Sequence, residues 1–263
     1  MKKSLFIIIL FFLILQIPSI IWIGYAVIDS WVAGQDISIE TNVSPMNLTI
    51  QIMIGYALTL LYLWKQKELG NKDRYQLPQQ RCIIAACIAG LGLIIVNDYA
   101  GQFLPELPER QRIIMQAIVQ NPLGIIVVSV MGPLIEELIF RGSILDALRK
   151  EKGKWATILI SALLFGLFHL NFSQGTFAFG AGILLGWITW VTGSIIPAII
   201  IHILNNSAAM VFQHLYAPDT TTADYLGQPA AMGICMIGIL LLVGSIYFIH
   251  KSHKSPFKRG SLD

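Results

Sequence analysis

The sequence predicts an all-α, polytopic integral membrane protein of about eight transmembrane helices around a polar intramembrane cavity, with N and C termini cytosolic. Three observations carry that expectation. The chain has 263 residues, of which 55% are hydrophobic and only 13% charged, and its mean hydropathy is +0.68. No water-soluble domain of this length needs so much apolar surface. Apolar runs of near membrane-crossing length recur from end to end, and the charges between them are sorted by side.

Taken in order, the first run is Leu5–Ile28, behind Lys2 and Lys3. A cleavable leader has a shorter apolar stretch and a small-residue cut site, so this run is expected to be a retained span, with Pro18 tolerated as a kink. The next candidates are Leu48–Trp64, Cys82–Leu104, Leu123–Leu148, Trp155–Leu170, Gly175–Thr192, Ile195–His214 and Ala230–His250. Between the third and fourth, Glu106 to Gln120 is expected to form a short amphipathic helix at the outer interface. The whole is expected to be a single membrane domain over 1–263, with a chemistry-bearing core at about 123–212 and flanking segments at 1–122 and 213–263.

The loop charges support this count. With the N terminus inside, the cytosolic side receives Lys2, Lys3, Lys65, Lys67, Lys72, Arg74, Arg81, Arg149, Lys150, Lys152, Lys154, Lys251, Lys254, Lys258 and Arg259. The other side receives only Arg110 and Arg112, with Asp29, Asp36, Glu40, Glu106, Glu109, Asp219 and Asp224. That asymmetry obeys the positive-inside rule. The basic tail Lys251 to Arg259 suits an anionic lipid surface, at about 1 kcal/mol per residue. Basic runs with interleaved aromatics are lacking, which excludes a nucleic-acid partner. Cys82, Cys87 and Cys235 lie in apolar runs and read as small buried hydrophobes.

Polar residues inside the spans mark the chemistry. Glu136, Glu137 and Arg141 interrupt the fourth run, His169 ends the fifth, and His202 and Asn206 lie in the seventh. A charge at the bilayer centre costs at least about 2.5–3.5 kcal/mol, so such groups face protein or water and mark function. Counting about 1.5 Å of rise per residue puts Glu136 roughly 18 Å, His169 roughly 21 Å and Asn206 roughly 17 Å from the cytosolic boundary. His202 comes out shallower, at roughly 11 Å. Three helices thus bring polar groups to one band.

Spacing adds local pairs. Glu137 and Arg141, four apart, share a face and should form an ion pair. Glu136 is turned by about 100° and has no cation of its own. An unpaired carboxylate in a dry site holds a proton more tightly than in water, which suits a general base near neutral pH. Phe165 stands four before His169, and His202 four before Asn206, so each pair can pack together. Gly132-Pro133 should distort the helix just ahead of the glutamates. Pro133, Gly166, Gly180, Gly182 and Gly186 are expected to serve close helix packing.

Glu136-Glu137-x-x-x-Arg141, Phe165-x-x-x-His169 and His202-x-x-x-Asn206 resemble, in order and spacing, the three motifs of the CAAX protease and bacteriocin-processing family. That family is also called Abi, or type II CAAX prenyl endopeptidases. The resemblance covers about Leu123 to Phe212 and implies an intramembrane endopeptidase in the cell membrane, with a cavity open to the cytosol. It further implies that Glu136 with His169 activates water and that His202 and Asn206 hold the oxyanion. Glu137, Arg141 and Phe165 then support them. Its substrate would be a peptide or lipidated protein, in CAAX-type processing, bacteriocin maturation or self-immunity.

Two histidines and a carboxylate are also a catalytic zinc set, and the ligands would be Glu136, His169 and His202. No His-Glu-x-x-His occurs and each helix offers one imidazole, so a metal-independent site is favoured. The competing readings are a non-proteolytic membrane scaffold and a transporter or proton relay. The transporter should show internal repeats, and the two halves show none.

Overall fold

The computed structural model describes residues 2–32, 44–69, 72–215 and 220–252. The acidic residues Asp36, Glu40 and Asp219, and the tail from His253 through Lys254, Lys258 and Arg259, lie outside the described residues. Within them every regular element is helical. The helices are α1 (Lys2–Val32), α2 (Pro45–Lys65), α3 (Gln80–Gly101), α4 (Glu109–Val119), α5 (Pro122–Leu148), α6 (Lys154–Phe168), α7 (Phe172–Thr192), α8 (Ile196–Leu215), α9 (Thr222–Leu226) and α10 (Gln228–Ser252). Seven are long and apolar enough to cross a membrane. The protein is an all-α, multi-pass membrane protein.

Local chemistry sets the helix starts. Ser44 caps α2 by accepting from the Asn47 N–H, and Pro45 follows with its φ already helical. Asn121-Pro122 opens α5 in the same way, with Leu123 N–H on the Asn121 side chain. Asn171 caps α7 through the Gln174 N–H, so α7 begins before the predicted Gly175.

α6 differs from the other spans. At 15 residues it is about 22 Å long, short of the roughly 30 Å apolar thickness. It stops at Phe168, and Leu170 adopts a left-handed φ of 53° before the Asn171 cap. The predicted Trp155–Leu170 span therefore ends in a turn that the Ser173–Pro105 hydrogen bond ties to the loop before α4. α4 matches the predicted amphipathic segment, beginning three residues later at Glu109.

α5 is the centre of the bundle. Its Ile135, Leu138, Ile139, Phe140, Ile144 and Leu148 form a buried cluster with Ile7 and Phe11 of α1, Leu63 of α2, Phe165 of α6 and Ile199 of α8. A second cluster joins α3 to α7, α8 and α10. α3 lies along α10 because Gly92 faces Gly238, and α6 lies along α7 because Gly182 faces Ala162. Gly180 does not serve packing: nothing lies within 4 Å of where its side chain would start. At one end of α5, Asp146 pairs with Arg74 and Arg149, while the Arg74 carbonyl accepts from Ile195 N–H at 2.9 Å. The α2–α3 connection is thereby fastened to the ends of both α5 and α8.

A Cβ on Gly92 would fall 2.6 Å from the Gly238 carbonyl oxygen and 2.8 Å from the Leu242 nitrogen, both backbone atoms that cannot rotate away. Gly92→Ala should cost about 1–3 kcal/mol through overpacking. A lowered thermal unfolding midpoint in detergent is the expected result.

Candidate active site

Glu136 and Glu137 sit in a short α-helical stretch of α5, Gly132–Glu137, between π turns over Val127–Met131 and Leu138–Ile144. Pro133 accounts for the first. It has no N–H for the carbonyl four residues back, and Gly132 N–H reaches Val127 O, five back. The second closes where Leu145 N–H bonds Phe140 O. Gly132-Pro133 forecast an irregular helix; the form it takes is two widened turns. Such turns re-aim neighbouring side chains and are frequent at functional sites.

Glu137 is wholly enclosed. Its Oε1 accepts from Arg141 Nη1 at 2.7 Å and from His202 Nδ1 at 2.8 Å. Arg141, also fully buried, stands 4.5 Å above the Phe165 ring and donates from Nη2 to the Gly182 carbonyl at 3.4 Å. A carboxylate paired with a guanidinium can only accept, so His202 Nδ1 carries its hydrogen. That leaves His202 Nε2 facing Glu136 Oε2 at 3.8 Å. The gap is too long for a direct hydrogen bond and fits a shared third polar atom. Glu136 is the open member of the group, with 15% of its side chain exposed. Glu137 Oε2 and Arg141 Nε are buried without a hydrogen-bond partner among the described residues.

Phe165 links the remaining helix. Its ring is edge-on to His169 at 5.1 Å and to His202 at 5.5 Å. His169 caps the end of α6, with Nδ1 2.9 Å from the Phe165 carbonyl. A carbonyl only accepts, so Nδ1 donates and Nε2 is left with a free lone pair. Asn206 donates to the Val128 carbonyl at 3.2 Å and accepts from Asn205 at 3.3 Å.

Glu136, Glu137, Arg141, Phe165, His169 and His202 thus form one connected group. Two expectations change. His202, not Asn206, shares the level of the glutamates, and Asn206 reaches the helix turn near Val128, about two turns earlier along α5. Depths counted along ideal, untilted helices are displaced by the π turns and by helix tilt. Among the described residues no hydrogen bond or ion pair joins Glu136 to His169, or His202 to Asn206. Sequence reasoning also missed the Gly182 carbonyl, a backbone partner on another helix that no side-chain motif could announce. His214 is remote, lining an open cavity of about 350 Å³ with α4 residues, twelve residues along α8 from His202.

Glu136, His169 and His202 are not gathered into a three-ligand group in this arrangement. No group of three or more His, Cys, Asp or Glu side chains among the described residues is placed to hold a metal ion. Both imidazoles have Nδ1 engaged, one by a carboxylate and one by a carbonyl, which leaves Nε2 as the nitrogen each could offer to another group.

A multi-pass helical protein with a buried carboxylate–guanidinium–imidazole group and a second carboxylate beside it belongs to the class of membrane proteins with an intramembrane polar centre. Residues 118–208, which contain all three motifs, match the family described as type II CAAX prenyl endopeptidase, Rce1-like. The resemblance expected from the motifs is therefore found over that segment. Over 131 residues the chain is 30% identical to "Membrane-embedded CAAX protease MroQ" of Staphylococcus aureus (strain USA300), covering 48% of this chain and 52% of that protein. It is 26% identical over 250 residues to "Putative membrane peptidase YdiL" of Bacillus subtilis (strain 168), covering 92% of this chain and all of that protein. The chain thus spans about half the length of the first relative and the full length of the second. No solved structure gives a significant match.

Glu137→Gln removes the counter-ion of a buried arginine and leaves His202 only a neutral amide oxygen as acceptor. It should cost about 3–5 kcal/mol. Glu136→Gln, at a side chain 15% exposed and with no hydrogen bond among the described residues, should cost about 1 kcal/mol or less. Thermal melts of the two variants in detergent measure the difference, and equal losses would contradict this arrangement.

Proposed function

We propose that the protein is an intramembrane endopeptidase that hydrolyses a peptide bond near the C terminus of a membrane-associated, lipid-modified peptide or protein. One observation carries the reading: two glutamates flank a single imidazole, at 2.8 and 3.8 Å, inside an otherwise apolar bundle. The match of residues 118–208 to type II CAAX prenyl endopeptidases supports it, as do the names of the two relatives. CAAX-type processing is the favoured task, ahead of bacteriocin maturation or self-immunity. The basic ends of the spans favour cytosolic termini, with the substrate entering from that side.

Each residue has a chemical task. The free Nε2 lone pair of His169 and the open carboxylate of Glu136 together take the proton of an attacking water. His202 Nε2 and the Asn206 amide hold the oxygen of the tetrahedral intermediate, a kind of contact worth about 3–4 kcal/mol when preorganised. For His202 to donate from Nε2 it must be an imidazolium, since its Nδ1 hydrogen is already committed to Glu137. The two glutamates around it are the counter-charges that allow this. Glu137, Arg141 and Phe165 fix the imidazole in place. In this reading the reaction needs no metal, because the carboxylate and the imidazole together supply the base.

The test uses purified protein and an internally quenched farnesylated peptide ending in cysteine, two aliphatic residues and a variable residue. Glu136→Gln and His169→Ala should each lower turnover by about 10²–10⁴-fold. Prolonged chelation should leave turnover unchanged. Cleavage by Glu136→Gln at the wild-type rate would overturn the base assignment. Loss on chelation, restored by zinc, would overturn the metal-independent form. A wild-type protein that cuts no such peptide would leave the scaffold reading in its place.

A further inference from the structure

A residue outside the three motifs links the two helices that carry Glu137 and His202. Arg74 lies in the short helical turn Lys72–Tyr75, between α2 and α3. Its guanidinium pairs with Asp146 on α5 and donates from Nη1 to the Glu68 carbonyl at 3.2 Å. Its own carbonyl accepts from Ile195 N–H, one residue ahead of α8, at 2.9 Å. Asp146 also meets Arg149 and Lys150, three and four residues further on, and those pairs tie α5 only to its own end. Arg74 instead joins it to another helix. The pair is sheltered, with 13% of the Arg74 side chain and 11% of the Asp146 side chain exposed. A fully exposed pair would contribute too little to hold a helix in place. Leu69 and Tyr75, on either side, pack against the cluster of Ile139, Phe140 and Phe165 and keep the turn seated.

Lengths along the two helices show what this link does. Asp146 follows Glu137 by nine residues and His202 follows Ile195 by seven, so each path is roughly 10–13 Å long. α8 packs on α5 chiefly over Val127–Glu137. The 2.8 Å bond from His202 to Glu137 therefore stands at one end of a closed frame, and Arg74 stands at the other. Two rods joined by a single hydrogen bond can pivot about it. A second tie at that distance removes the freedom. A slip of α8 by about 3 Å, two residues of rise, would stretch the His202 bond beyond hydrogen-bonding range.

We propose that Arg74 is a positioning residue of this site: by tying Asp146 to the start of α8, it sets the register in which His202 meets Glu137. The α2–α3 connection then contributes to the centre without touching it. The inference deepens the endopeptidase reading, and its spectroscopic test stands apart from that reading.

The test reads the ¹⁵N signal of His202 Nδ1 in purified protein. Arg74→Gln removes the charge, and its signal should move toward the position it takes in Glu137→Gln. Arg74→Lys keeps a cation for Asp146 and should return the signal to its wild-type place. Gly92→Ala, which loosens α3 against α10, should lower the thermal midpoint and leave the signal unmoved. With the quenched farnesylated peptide, Arg74→Gln should lower kcat about 10-fold with KM unchanged, because an oxyanion donor is displaced while the contacts to the substrate remain. An unmoved His202 signal in Arg74→Gln overturns the proposal whatever the turnover. An equal movement in Gly92→Ala overturns it too, since any loosening of the bundle would then suffice. Should Arg74→Gln fail to fold, Asp146→Asn weakens the same pair from the α5 side and is read in the same way. If Glu136→Gln still cuts the peptide, the endopeptidase reading fails, and the His202 signal alone decides the role of Arg74.

Discussion

The buried Glu137 carboxylate organises this protein. A single oxygen of it accepts from Arg141 on its own helix and from His202 on α8. Removing such a charge from water costs several kcal/mol, which is recovered only when good partners surround it. That requirement fixes the rotation of α5 and α8 about their axes. It also sets the tautomer of His202, and through Arg141 it reaches Phe165 on α6 and the Gly182 carbonyl on α7. Four helices are held in register by one ion pair and its neighbours.

The surrounding apolar bundle makes this arrangement possible and constrains it. Backbone polar groups inside a membrane must be satisfied locally, so irregular backbone is confined to places enclosed by protein. The widened turn Leu138–Ile144, every residue of it buried, obeys that rule. α5 widens into π turns on either side of the glutamates, each closed by a bond to the fifth residue back. α6 ends early, and its final turn is completed by His169 and by the Asn171 cap of the next helix. Both irregularities place polar side chains where a straight helix would have carried them elsewhere.

Much of this was legible in the residue order. The apolar runs located the spans to within a few residues: the Leu123–Leu148 run is the helix Pro122–Leu148, and Ile195–His214 is Ile196–Leu215. Spacing within one helix gave the Glu137–Arg141 pair and the Phe165–His169 contact, because four residues always return a side chain to the same face. Contacts between helices were harder. The meeting of His202 with Glu137 depends on how two helices rotate and tilt, and depth counting placed it more than a turn away. Contacts such as that of the Tyr56 phenol on α2, whose oxygen lies 3.0 Å from where a Cβ on Gly132 would sit, carry no motif at all, since a glycine that makes room for a phenol looks like any other glycine before a proline.

The central claim is that Glu137 holds His202 through Nδ1. Nitrogen chemical shifts of histidine side chains in ¹⁵N-labelled protein, with His202 assigned by its loss in His202→Asn, report this directly. The account predicts a protonated, hydrogen-bonded Nδ1 on His202 whose shift changes when Glu137 is replaced by Gln. A bare Nδ1 on His202, or a signal indifferent to Glu137, would contradict it.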